Sequence, residues 1–211
     1  MKGRKSNIRY LTELALLIAV LLMMNVTGLA MIPMPPPLQY ASIMTVPVAI
    51  GAMLLGPTAG GILGAVMGGI SFYTAVKTGF SSLFLAGYEG GIVVVLSFIN
   101  SFIPRIIMGV LTGWIFKLVD RIDKTNTIDC FLGGLIAPLL NTLLYMTVLI
   151  LIYLNAPMLE NLLSPELMEK FQSNVLVFVA AYVGVQALIE AGVGCVVSGA
   201  ITKVLRVILK R

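Results

Sequence analysis

The chain has 211 residues, of which 59% are hydrophobic, with 14 Lys and Arg against 9 Asp and Glu, a net charge of +5 and no histidine. An apolar share well above the roughly 45–50% of soluble domains places it in a bilayer. The long apolar runs leave no room for a soluble catalytic or nucleotide-binding domain. With no G-x-x-x-x-G-K-[ST] loop the chain cannot hydrolyse ATP alone. Without His, a Ser–His protease is excluded and metal, haem or His-relay chemistry has little support. The composition describes a protein that binds or conducts rather than catalyses, with no cofactor and no call on nucleic acid.

A helix needs about 20 apolar residues to cross a hydrocarbon core of about 30 Å. Six stretches qualify, near 11–31, 40–56, 58–76, 91–118, 128–154 and 174–201. They predict an all-α integral membrane protein, a six-transmembrane-helix bundle forming a single membrane domain over 1–211. In the first span, a basic segment leads into an apolar run ending at Gly28-Leu29-Ala30. That run is longer than a signal-peptide core, so it is read as a retained span. Ala15 and Ala19 form a small-xxx-small pair on a helix otherwise rich in Leu, Ile and Met, a pattern suited to docking another membrane protein.

The Pro-rich stretch Ile32–Pro37 should be stiff and extended, and Gly56-Pro57 barely separates the second span from the third. The third carries Gly60, Gly64 and Gly68 beside a parallel row of Gly61, Ala65 and Gly69, and the fourth has Gly109 and Gly113. Such rows let helix backbones approach closely. In the 77–90 segment Gly79, Gly87 and Gly90, with Gly91 just beyond it, permit bending. In 154–173, Glu160, Glu166, Glu169 and Lys170 follow Ser164-Pro165 and could form a short surface helix. These connections read either as a lid or as solvated linkers.

Polar residues inside the spans are the candidates for function. Arg105 follows Pro104 in the fourth span, and its planar donor fork suits a carboxylate or phosphate; the alternative is that it snorkels to the headgroups. Asn100 of the same span joins the candidate ligand set. Asn141 and Tyr145 share one face of the fifth span and could bind hydroxyls and amides, or bond helix to helix. On the sixth span, which also carries the small-residue row Ala187, Ala191, Cys195 and Gly199, Tyr182, Gln186 and Glu190 recur at four-residue intervals. That stripe should face the interior, with Gln186 touching ligand and Glu190 making a structural hydrogen bond. Asp120, Asp123 and Asp129 gather at one loop, which disfavours a membrane aspartyl dyad. Cys130 and Cys195 read as small core residues.

Orientation follows from Lys and Arg. Lys2, Arg4, Lys5 and Arg9 precede the first span, Lys117, Arg121 and Lys124 follow the fourth, and Lys203, Arg206, Lys210 and Arg211 close the chain. In a six-span topology these fall on one side, against Lys77, Lys170 and Arg105 on the other. Both termini are expected to be cytoplasmic.

Six spans in this length, Ala15 and Ala19, long outer loops and inner Lys and Arg together resemble the substrate-binding S component of energy-coupling factor (ECF) vitamin transporters. Val46-Pro47-Val48-Ala49-Ile50-Gly51-Ala52, running on through Leu55-Gly56-Pro57-Thr58-Ala59-Gly60, resembles the second-to-third-span signature of the branch with pantothenate and folate members. Ile103-Pro104-Arg105-Ile106-Ile107-Met108-Gly109 is similar to that branch's fourth span, and Leu188-Ile189-Glu190-Ala191 to its last. Leu140-Asn141-Thr142 resembles its Thr-Asn-Thr motif, departing from it at Leu140.

The resemblance implies a bundle in a bacterial cell membrane that captures a vitamin at the outer face and releases it inside. It further implies a T component, docked at Ala15 and Ala19, and two cytoplasmic ATPase subunits. Pantothenate, a small carboxylate with hydroxyls and an amide, complements one Arg with Asn, Gln and Tyr. Folate would ask for more aromatic surface than Trp114, near the inner end of its span. Hydroxymethylpyrimidine or a B6 vitamer are the other vitamin options. A solitary ion-coupled carrier using Glu190 is a different class, for which an internal repeat is expected and none is seen; a non-transporting structural membrane protein is a third.

Overall fold

The computed structural model describes residues 2–32, 41–77, 91–122, 127–154 and 186–209. Among them lie α1 (Lys2–Val26), β1 (Met31–Ile32), β2 (Ala41–Ser42), α2 (Thr45–Leu55), α3 (Pro57–Lys77), α4 (Gly91–Asp120) and α5 (Ile128–Leu154). The last helix, α6, is described over Gln186–Leu209. Five helices are long and apolar enough to cross a membrane, and α2 is a shorter apolar helix. The chain is therefore a helical, multi-pass membrane protein.

The helix in the expected second span, 40–56, is shorter in the structure. Residues 41–42 are extended and pair antiparallel with 31–32, Met31 opposite Ser42 and Ile32 opposite Ala41. Only 11 residues then remain for α2, about 16 Å of helix, too short for a hydrocarbon core. Gly56 stops it in a left-handed conformation (φ 98°), and Pro57 opens α3 at once, the usual division of labour between Gly at a helix end and Pro at a helix start. The helix is buried continuously from Thr45 to Met53. A helix apolar on all sides belongs in an interior, and α2 packs against α1, α3, α4 and α5 as a central strut.

Other bounds move as well. α1 covers Lys2–Val26 rather than 11–31, because the chain turns at Thr27 and at Gly28 (φ 75°). α6 runs on to Leu209, past the expected 201; the start of that span, like the Pro-rich stretch from Pro33 and the 154–173 segment beyond Leu154, lies outside the described residues.

The glycine rows decide how α3 meets α4. A Cβ added to Gly60 would strike the carbonyl of Gly109, and one added to Gly109 would strike that of Gly60. One turn along, Gly64 faces the carbonyl of Arg105 in the same way, and a Cβ on Gly68 would lie 2.9 Å from the Ser101 oxygen. Two backbones thus touch over three turns, fixing the height and rotation of the helix that carries Arg105.

α5 meets α6 by a related device. Pro138 has no N–H for the carbonyl of Gly134, four residues earlier. That carbonyl is pressed against Gly194, and Pro138 itself also touches Gly194. There α6 widens into a π-helical stretch, Gly194–Ser198. In a regular α-helix the sixteen residues from Glu190 to Arg206 would leave them about 160° apart around the axis. The extra residue in the wide turn takes back about 100°. Glu190, Ser198, Thr202 and Arg206 consequently all turn inward.

The Arg9 guanidinium donates to the carbonyl of Leu209 at 3.5 Å, so the start of α1 and the end of α6 lie together. Along most of its length α1 is exposed, with Leu14 and Leu21 anchoring it to the core.

Candidate functional site

The site grows from a proline. Pro104 lies inside α4, and its missing N–H leaves the carbonyl of Asn100 without a helical donor. Arg105 Nη1 donates to that carbonyl instead. The guanidinium is held down beside its own helix and lies over the ring of Tyr145 on α5, its carbon 4.5 Å from the ring centroid. This stacking on an aromatic face is characteristic of arginine rather than lysine. The side chain thus runs back along its own helix towards Asn100.

Around it, buried polar atoms lack partners. Among the described residues, Arg105 Nε has no acceptor, and Asn100 Oδ1, Asn141 Oδ1 and the Ser97 hydroxyl have no hydrogen-bond partner. Ser97, Asn100 and Asn141 are 5%, 7% and 9% exposed, and each such orphaned group costs about 1–3 kcal/mol. Unpaired buried groups are rare enough to call for an explanation. One guanidinium donor and several oxygen acceptors are thus buried on α4 and α5.

Glu190 bounds the site from α6. Its Oε1 accepts from the backbone N–H of Ser42 at 2.8 Å and from Gln186 Nε2 at 3.2 Å, and the carboxylate is within electrostatic reach of Arg105. The structural hydrogen bond expected of Glu190 is present. It ties α6 to the extended residues that precede α2, and a shallow cleft beside it is lined by Ser42, Thr45, Ile189 and Glu190. Gln186 shares its stripe as expected, and Tyr182 lies outside the described residues.

Of the predicted set, Asn100, Arg105 and Tyr145 are joined by direct contacts; Asn141 lies one turn from Tyr145 on α5, and Gln186 enters through Glu190. Ala15 and Ala19 stand apart on the exposed side of α1. Sequence reasoning passed over Ser97, which sits within one turn of Asn100. It also passed over a second polar cluster at the far end of α6. There Arg206 is paired with Asp129, which is fully buried, and with Asp120, and stacks over Phe116 at 5.3 Å. From sequence, Arg206 reads only as an orientation charge and Asp129 only as a loop residue. The sign of their pairing is visible in sequence, but the distance along the chain hides it.

Comparison with known proteins gives the family. Residues 9–202 match the family described as "ECF transporter, substrate-specific component". Over 161 residues the chain is 31% identical to the pantothenic acid transporter PanT of Lactococcus lactis subsp. cremoris (strain MG1363), covering 71% of this chain and 76% of that protein.

Proposed function

Because the chain belongs to the substrate-specific components of ECF transporters, we propose that it captures pantothenate at the outer face of a bacterial plasma membrane. Both termini are then cytoplasmic, and a T component with two ATPase subunits supplies the energy for release inside. Arg105 holds the ligand carboxylate. Asn100 and Asn141 accept from its hydroxyl and amide N–H groups, Tyr145 keeps the guanidinium in place, and Gln186 completes the polar lining together with Tyr182. Ala15 and Ala19 dock the T component.

The observation that carries this reading is the set of buried, unpartnered atoms: Arg105 Nε as donor, with Asn100 Oδ1 and Asn141 Oδ1 as acceptors. A molecule with one carboxylate and several hydroxyl or amide donors satisfies all three. The 31% identity to a pantothenic acid transporter supports pantothenate among such molecules.

The test is a thermal-shift screen of the purified chain in detergent against water-soluble vitamins, followed by calorimetry. A saturable shift with pantothenate is expected, since ligand that binds only the folded state raises its stability by mass action. A shift with folate, hydroxymethylpyrimidine or a B6 vitamer alone would replace the substrate and keep the class. Uptake into liposomes by the chain alone would instead identify a solitary carrier.

A further inference from the structure

Two polar contacts hold α6 on either side of its wide turn, and they are unequal. After the turn, Arg206 pairs with the fully buried Asp129 and with Asp120, and its guanidinium stacks over Phe116. Before it, Glu190 Oε1 accepts from the Ser42 N–H, which fastens α6 to the extended residues that lead into α2. Both contacts exist together because Gly194–Ser198 is π-helical and places one extra residue between them. Were that stretch to relax into regular α-helix, the two parts of α6 would turn against each other by about 100° and separate by about 1.5 Å. Two local features favour the relaxation. The Ser198 hydroxyl is fully buried and, among the described residues, without a hydrogen-bond partner. In a regular helix it would stand one turn beyond Gly194 and could bond back to that carbonyl. Gly192 has open space where a Cβ would stand, unlike Gly194, which is packed against Gly134 and Pro138. Packing does not call for a glycine at 192, so what it supplies beside the turn is backbone freedom.

We infer that the wide turn is a conformational joint: the part of α6 before Gly194 turns on the part after Ser198, withdrawing Glu190 from Ser42 while Arg206 stays on Asp129. The later part is the fixed one, because parting a buried ion pair costs far more than giving up one hydrogen bond. The joint thus decides whether the extended residues Ala41–Ser42, and with them the start of α2, are fastened to α6. Two arrangements of one segment that differ by a single such contact form a balance that a small change can tip. Gln186 rides on the turning part and carries its ligand contact with it; that consequence rests on the proposed function, whereas the joint itself does not.

The experiment is double electron–electron resonance on the full-length chain in detergent, without ligand, so that the distances judge the joint apart from the substrate. Cys195→Ala leaves only introduced cysteines to label, since Cys130 is fully buried. Labels at Leu188→Cys and Leu143→Cys, both exposed positions, measure the earlier part of α6 against α5; Val207→Cys with Leu143→Cys measures the later part. A turn of about 100° displaces a side chain lying about 5–6 Å from the helix axis by about 8 Å. Glu190→Met should raise the population of the displaced Leu188 distance about tenfold, whereas Glu190→Gln, which keeps an acceptor for Ser42, should leave it at the wild-type level. Adding Ser198→Ala to Glu190→Met should lower it again about fivefold, because no hydroxyl then gains a partner on relaxation. The Val207 distance should stay single throughout. An unmoved Leu188 distance in Glu190→Met, or a Val207 distance that shifts with it, overturns the joint. So does a displaced population that Ser198→Ala leaves unchanged.

Discussion

The Arg105 side chain occupies the carbonyl of Asn100 that Pro104 leaves free. One residue, Pro104, therefore creates both a helix defect and the anchor for a cation, and the two can be separated by experiment. Pro104→Ala restores a backbone N–H to that carbonyl and should raise thermal stability by the equivalent of about 1–3 kcal/mol. Released from its acceptor, Arg105 is no longer preorganised, and pantothenate affinity should fall about fivefold. Calorimetry with a parallel melting curve reads both, and a tighter-binding Pro104→Ala protein would contradict the anchoring role.

Replacing the guanidinium itself has a larger effect. Arg105→Ala should weaken pantothenate binding at least about 30-fold while the bundle stays folded. Arg105→Lys keeps the charge but loses the fork and the stack on Tyr145, so it should fall between the two. A lysine variant equal to wild type would mean that only charge matters.

The glycine contacts tie the site to the fold. Gly64→Ala pushes a methyl group into the Arg105 carbonyl, which should cost about 1–3 kcal/mol and weaken binding as well, because α4 must shift. Gly69→Ala is the control, since its Cβ would meet only Phe102 Cζ at 3.6 Å, an ordinary contact. If melting and binding respond alike in the two variants, the site does not depend on the α3–α4 contact.

At the other end of α6, removing Arg206 takes the paired cation away from the fully buried Asp129. Arg206→Ala should destabilise by about 3–5 kcal/mol, and pairing Arg206→Met with Asp129→Leu should recover most of that loss. Asp120→Ala should cost no more than about 1 kcal/mol, because Asp120 is partly open to solvent. Detergent melts of the four proteins check the series, and the ligand Kd of those that fold should be unchanged.

Ala15 and Ala19 are exposed on a helix whose other face holds Leu14 and Leu21 in the core. Ala15→Trp should leave pantothenate binding intact and stop uptake into cells that carry the energising subunits. Normal uptake by that variant would remove the docking assignment.

Much of this arrangement was legible in the sequence. Hydropathy located every long helix to within a turn or two at most described ends, because burying an unpaired backbone in lipid is so costly that a long apolar run has few other options. Gly60, Gly64 and Gly68 announced a close helix contact, since a repeat of four puts all three on one face. The shorter helix within 40–56 has an equally physical cause. Composition reports that α2 avoids water, and a helix buried among other helices satisfies that as well as a membrane span does.

The sequence by itself determined the solvent of this protein, the long helices and the short list of polar residues that had to be explained. Those are local properties, set by side-chain transfer energies and by spacing along one helix. Only the tertiary structure decided which of these residues meet: that Arg105 turns back to Asn100, that Glu190 reaches Ser42, and that Arg206 finds Asp129. Such contacts depend on the rotation and height of whole helices, which are fixed by the Gly60–Gly109 and Gly134–Gly194 approaches and by the wide turn at Gly194–Ser198, far from the residues they bring together.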